Sequence, residues 1–82
     1  MNLSEIVKCE KEICGIDTEY YLFRIDDKRY RICIYRENIN TSAEFYCDFF
    51  DVVELFKAIV KTDTLPENLS EIACDIKNSF YV

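Results

Sequence analysis

The sequence predicts an α+β domain: a two-layer sandwich in which an antiparallel sheet of about four strands is followed by two helices covering one face, in the order ββββαα. Three observations lead there. From Glu5 to Ile34 the apolar residues recur mostly with period two, and from Asp51 onward they fall at helical spacing. Between the segments stand residues that reverse or stop a chain, notably Gly15, Asp26-Asp27-Lys28 and Pro66. The chain has 82 residues, half of them apolar, enough for one core and too few for two. Residues 1–82 are therefore read as a single domain, with hairpins over 1–47, a helix over 51–61 and a second helix over 66–79.

The opening segment fits two templates. Leu3, Ile6, Val7, Ile13 and Cys14 suit one helix face, whereas Ile6-Val7-Lys8-Cys9 suits the start of a strand. Cys14-Gly15-Ile16-Asp17 favours the strand, because the only glycine stands where a hairpin would reverse. Thr18 to Ile25 and Arg29 to Arg36 are rich in β-branched and aromatic residues, and the polar Asp26-Asp27-Lys28 between them predicts a hairpin. Within its second strand Tyr30, Ile32 and Ile34 alternate with Arg31, Cys33 and Tyr35, the pattern of one buried and one wetter face.

Glu37-Asn38-Ile39-Asn40-Thr41-Ser42 is polar enough to read as a loop before a short fourth strand, Ala43 to Cys47. Val52, Val53, Leu55, Phe56, Ile59 and Val60 then mark a helix, and Asp51 with Glu54 has the form of a capping box. Pro66 cannot continue that helix, so Thr62-Asp63-Thr64-Leu65-Pro66 ends it. The second helix starts at Pro66 or at Asn68, which forms a capping-box spacing with Glu71, and it presents Leu69, Ile72, Ala73, Ile76 and Phe80 on one side.

Composition narrows the chemistry. Histidine is absent and glycine occurs once, which excludes histidine-based triads, common zinc sites and glycine-rich phosphate loops. Five cysteines, Cys9, Cys14, Cys33, Cys47 and Cys74, are an odd number with no Cys-x-x-Cys pair, so reduced thiols are expected and no metal or other cofactor is. No stretch approaches the ~20 apolar residues of a membrane span, and the start lacks the pattern of a signal peptide, so the chain reads as cytoplasmic. The net charge of −6 is uneven: residues 1–39 hold eight acids and seven bases, and residues 40–82 hold eight acids against Lys57, Lys61 and Lys77. Such a chain repels nucleic acid as a whole and suits a protein partner with a basic surface.

The stretch from Tyr20-Tyr21-Leu22 through Tyr30-Arg31-Ile32-Cys33-Ile34 to Leu65-Pro66-Glu67-Asn68-Leu69-Ser70-Glu71-Ile72 resembles a small uncharacterised domain family of low-GC Gram-positive bacteria. In that family a Tyr-x-Leu strand precedes a Tyr-Gly-Ile strand, and a Pro-x-His-Leu motif leads into the last helix. Arg31 stands here in place of the family's glycine and Asn68 in place of its histidine. The resemblance implies the same strand and helix order and no activity.

Two surfaces are candidates for function. One is the outer face of the central hairpin, where Tyr20, Leu22 and Arg24 are expected beside Arg31, Cys33 and Tyr35. Tyrosine and arginine are favoured anchors at protein interfaces, and the same combination stacks single-stranded nucleic acid. The other is an acidic helical face of Glu54, Asp63, Glu67, Glu71 and Asp75, which presents carboxylates as nucleic acid presents phosphates. In size and charge the chain is similar to small phage-encoded inhibitors, anti-CRISPR proteins among them. The expected function is a non-enzymatic protein-binding module or regulator. A single-strand binder using Tyr20, Arg24, Arg31 and Tyr35, or a thiol-dependent enzyme centred on Cys33, is the alternative. Self-association is open, since such a sheet has two edges.

Overall fold

In the computed structural model, residues 4–69 and 71 are described. Four strands, β1 (Ser4–Ile13), β2 (Ile16–Arg24), β3 (Arg29–Arg36) and β4 (Ile39–Tyr46), form one antiparallel meander in the order β1-β2-β3-β4. Helix α1 (Phe49–Lys61) and a 3₁₀ turn at Pro66–Asn68 follow, and both lie on the same face of the sheet. The α+β class and the four strands stand as the sequence predicts. Among the described residues one complete α-helix is found where two are expected. The chain turns helical at Pro66 as a 3₁₀ turn with Leu65 as its N-cap, and Leu69 and Glu71 just beyond it are α-helical. Most of the expected helix over 66–79 lies outside the described residues.

Opening as a strand follows from the first turn. Ile13 pairs with Ile16 across Cys14-Gly15, and both turn residues have positive φ, 53° and 80°, as a two-residue type I′ hairpin demands. Glycine suits the second site for its positive φ alone, since a Cβ there would meet no atom within 4 Å. A bulge at Ile6 interrupts the register between Glu5 and Val7, bringing Ile6 against the core while Val7 pairs with core-facing Leu22.

The second turn is held by Asp26. Its carboxylate accepts from the backbone N–H groups of Lys28 (3.2 Å) and Arg29 (3.0 Å) and from the Arg29 guanidinium (2.7 Å). The Arg29 side chain, aided by those N–H groups, holds the carboxyl below its usual range despite some loss of hydration. The contribution of Asp26 is therefore present above the ordinary carboxylate pKa and lost as pH falls through the lowered one. Asp26→Ala is expected to lower Tm at neutral pH, with the gap from wild type closing in acid; thermal melts across pH check this.

The third turn corrects the sequence reading. Glu37-Asn38 is a two-residue turn with Glu37 at φ 56°, and β4 begins at Ile39. Asn40, Thr41 and Ser42, expected in a loop, belong to the strand. They are tolerated because β4 is an edge strand whose outer side needs no apolar partner.

The core forms between the sheet and α1. Tyr20 and Leu22 from β2, Tyr30, Ile32 and Ile34 from β3 and Phe45 from β4 meet Val52, Leu55, Phe56 and Ile59 from α1 and Leu69 beyond it. The helix starts two residues before the expected boundary, with Asp48 as N-cap, and Asp51 lies in its first turn. The expected Asp51–Glu54 capping box is therefore not its N-terminus. Its end is a Schellman motif: Asp63 sits in the left-handed region at φ 53°, its N–H donates to the Val60 carbonyl, and the Thr64 N–H donates to the Ile59 carbonyl. The helix thus stops before Pro66 is reached.

Two long-range contacts dock this end of the helix. The Lys11 ammonium donates to the Val60 carbonyl (3.0 Å) and pairs with Asp63, a cation placed at the negative end of the helix dipole. The buried Tyr20 hydroxyl donates to the Thr64 carbonyl at 2.9 Å.

Candidate functional site

Cross-strand partners share a face, so the register assigns every strand residue to the core or to the opposite side. Tyr20 pairs with Ile34, Leu22 with Ile32 and Arg24 with Tyr30; all six belong to the core side. This corrects the expected outer surface. Tyr20 and Leu22 are fully buried, and Arg24, at the strand end, binds the Asp26 carbonyl and the Asp27 carboxylate. The residues that do accompany Arg31, Cys33 and Tyr35 are Glu19, Tyr21 and Phe23, paired with Tyr35, Cys33 and Arg31 respectively.

No described element packs on that outer face. An aromatic ridge crosses it: Tyr21 stacks on Phe23 with centroids 5.7 Å apart and meets Tyr35 edge-on at 5.3 Å. The Lys8 ammonium lies 5.5 Å from the Tyr21 ring centre and forms ion pairs with Glu10 at 3.0 Å and Glu19 at 3.6 Å. Glu10 is accordingly held below its usual pKa and Lys8 above its own, in each case chiefly by their mutual hydrogen bond. Arg31 pairs with Glu44 of β4 at 3.1 Å.

Meander topology polarises the charge of this half. The β1–β2 and β3–β4 turns lie at one end of the sheet and bring Glu10, Glu12, Asp17, Glu19 and Glu37 together with Lys11, Ile16 and Tyr35 around a shallow cleft of about 630 Å³. Among the described residues Glu12, Asp17 and Glu37 have no ion-pair partner. At the other end the cations are engaged: Arg24 with Asp27, Lys28 with Asp48, and Arg29 with Asp26. The near balance of acids and bases over residues 1–39 therefore conceals one end with free carboxylates and one with paired cations. Strand order alone could not reveal this without the turn positions.

The acidic helical surface is less coherent than expected. Asp63 is the left-handed cap residue and is tied to Lys11. Glu54 stands 3.9 Å from Lys57, while Glu67 and Glu71 are exposed; Asp75 lies outside the described residues.

Cys33 is also placed differently from expectation. It is buried at 7% exposure, and loss of hydration raises its thiol pKa, an effect the Arg31 charge only partly opposes. A raised pKa and poor access both disfavour the thiolate. Alkylation of the folded protein is expected to modify Cys14, exposed in the first turn, well before Cys33; peptide mass mapping over time checks the order. Among the described residues no group of three or more cysteines and carboxylates is arranged to hold a metal ion, and no helix is long and apolar enough to cross a membrane.

Comparison with protein-family models, curated proteins and solved structures finds no match to this chain.

Proposed function

We propose that the protein is a non-enzymatic binding module that presents the outer face of its sheet to a partner protein with a basic surface. The observation that carries this reading is the juxtaposition on one uncovered face of the Tyr21–Phe23–Tyr35 ridge with the unpaired carboxylates Glu12, Asp17 and Glu37. Aromatic rings supply rigid contact area at small entropic cost, and an excess of carboxylates over cations raises the local field that attracts a cationic surface. A site that ordinarily receives phosphates, as in a nucleic-acid-handling protein, offers the complementary charge. Direct binding of nucleic acid is disfavoured by the same carboxylates, and Tyr20, buried in the core, has no face to offer a base.

The test is capture of partners from bacterial lysate by the immobilised chain at ~50 mM and ~500 mM salt, since screening shortens the reach of exposed charges from over 10 Å to a few ångströms. A protein retained at low salt and lost both at high salt and with Tyr21→Ala/Tyr35→Ala supports the proposal. Capture indifferent to salt and to both rings overturns it.

A further inference from the structure

The core is left open along one flank. Val7 and Cys9 of β1 and Val53, Phe56 and Val60 of α1 line a groove of about 370 Å³, with Lys8, Lys57 and Lys61 at its sides. That volume is within the range of ligand clefts. Beyond Cys9 the Lys11 side chain bridges β1 to the Val60 carbonyl and closes the groove. The 3₁₀ turn that follows α1 packs on β3 and β4, at the opposite side of the sheet, so the described chain leads away from it.

β1 is also an edge strand, and its outward backbone groups lie along this groove. Ile13 and Ile16 close a two-residue hairpin and bond each other, so alternate residues thereafter, Glu12, Glu10 and Lys8, turn N–H and C=O away from β2. The Ile25 N–H, which donates to the Arg29 carbonyl, fixes the same parity from the other side: Tyr21, opposite Lys8, bonds toward β3. The Lys8 side chain lies over Tyr21 on the outer face, yet Lys8 lines the groove, which therefore reaches round to the strand's edge.

The charge here is the reverse of that on the outer face. In a chain of net charge −6, three lysines and no carboxylate line the groove. Lys61 has no ion-pair partner among the described residues, and Lys57 meets only Glu54, at 3.9 Å. Glu10 and Glu12 stand on the outer face, paired across the strands with Glu19 and Asp17.

We propose that this groove is a second binding site, which takes an extended segment of a partner protein as a fifth strand beside β1. Opposite Cys9 the added strand turns a side chain toward α1, where Cys9, Val53 and Val60 select an apolar one. Two positions along, a carboxylate on the same side reaches Lys57 or Lys61. Main-chain bonds to Lys8 and Glu10 supply affinity, and the groove supplies selection. A free aliphatic acid matches the apolar and cationic parts but leaves the edge groups unused.

Selection of a phage-displayed library of random octapeptides on the whole chain tests this. Enriched sequences are expected to carry Asp or Glu two positions from Val, Ile or Leu. With a selected peptide bound, exchange of the Lys8 and Glu10 N–H groups is expected to slow by about tenfold or more. N-methylation at alternate peptide amides is expected to abolish binding in one parity and spare it in the other, since only every second amide faces β1. Lys57→Glu with Lys61→Glu, both exposed, is expected to weaken binding by about tenfold. Tyr21→Ala/Tyr35→Ala is expected to leave it unchanged, which separates this site from the outer face. No enrichment, a selected peptide that slows neither amide, or equal tolerance of N-methylation in both parities overturns the proposal. Protection of those amides that rises with chain concentration alone assigns the edge to a second copy, and binding of decanoate in place of any peptide assigns the groove to an aliphatic acid; either overturns it.

Discussion

Replacing Tyr20 by alanine is expected to cost about 3–5 kcal/mol, a large share of the roughly 4–12 kcal/mol available to a domain of this size. The side chain is fully buried at the centre of the core, and its hydroxyl is the donor that fixes the Thr64 carbonyl beyond α1. Tyr20→Phe keeps the ring and removes only that donor, leaving a buried carbonyl short of a partner, at about 1–2 kcal/mol. Urea denaturation separates the two. The ionisation of Tyr20 adds a second signature. Burial, with a smaller contribution from Asp63, pushes its pKa up to about 12 from 10.0. The unfolded chain therefore releases this proton first, so the contribution is complete below pH ~10 and is lost as pH rises toward ~12. Tyr20→Phe is expected to flatten the alkaline part of the stability profile, which melts between pH 8 and ~12 would reveal.

Reversing charge at the acidic end is expected to abolish partner capture without disturbing the fold. Glu12→Lys with Glu37→Lys removes two carboxylates that have no ion-pair partner among the described residues and installs cations facing a basic partner. Stability should move by no more than ~0.5 kcal/mol per site, as is usual on a surface without specific contacts. Affinity for whatever protein the wild type retains at low salt should fall by about tenfold or more, mainly through slower association, because steering acts on encounter. Surface plasmon resonance against that retained protein gives both rates. Unchanged association would remove the electrostatic part of the proposal and leave the aromatic ridge alone.

Several elements were legible in the sequence for local reasons. Strand β3 was bounded correctly because Tyr30, Ile32 and Ile34 alternate with more polar neighbours between two turns. The helical spacing of Val52, Leu55, Phe56 and Ile59 survived as the buried stripe of α1. Asp26 was read correctly as a turn residue, since its carboxylate acts on backbone groups two and three positions away. The start of β4 was missed because the usual turn marker is lacking: Glu37, not glycine, takes the positive φ, and a polar edge strand resembles a loop.

The candidate site was half legible. Arg31, Cys33 and Tyr35 were correctly set on one face, but their neighbours were assigned to the wrong side of β2. That strand is apolar on both faces, with Tyr20 and Leu22 on one and Tyr21 and Phe23 on the other, so periodicity cannot choose between them. A shift of one residue exchanges the faces entirely. The choice rests on the geometry of the β2–β3 turn, where the Ile25 and Asp26 N–H groups both donate to the Arg29 carbonyl and pair Arg24 with Tyr30.

By itself the sequence determined the α+β class, the β2–β3 hairpin, the apolar stripe of α1 and the lack of histidine, because each depends on composition or on contacts within a few residues. Only the tertiary structure decided which rings are buried and which carboxylates gather. Those depend on turn geometry and strand register, which bring together residues far apart in the chain and leave no periodic trace in it.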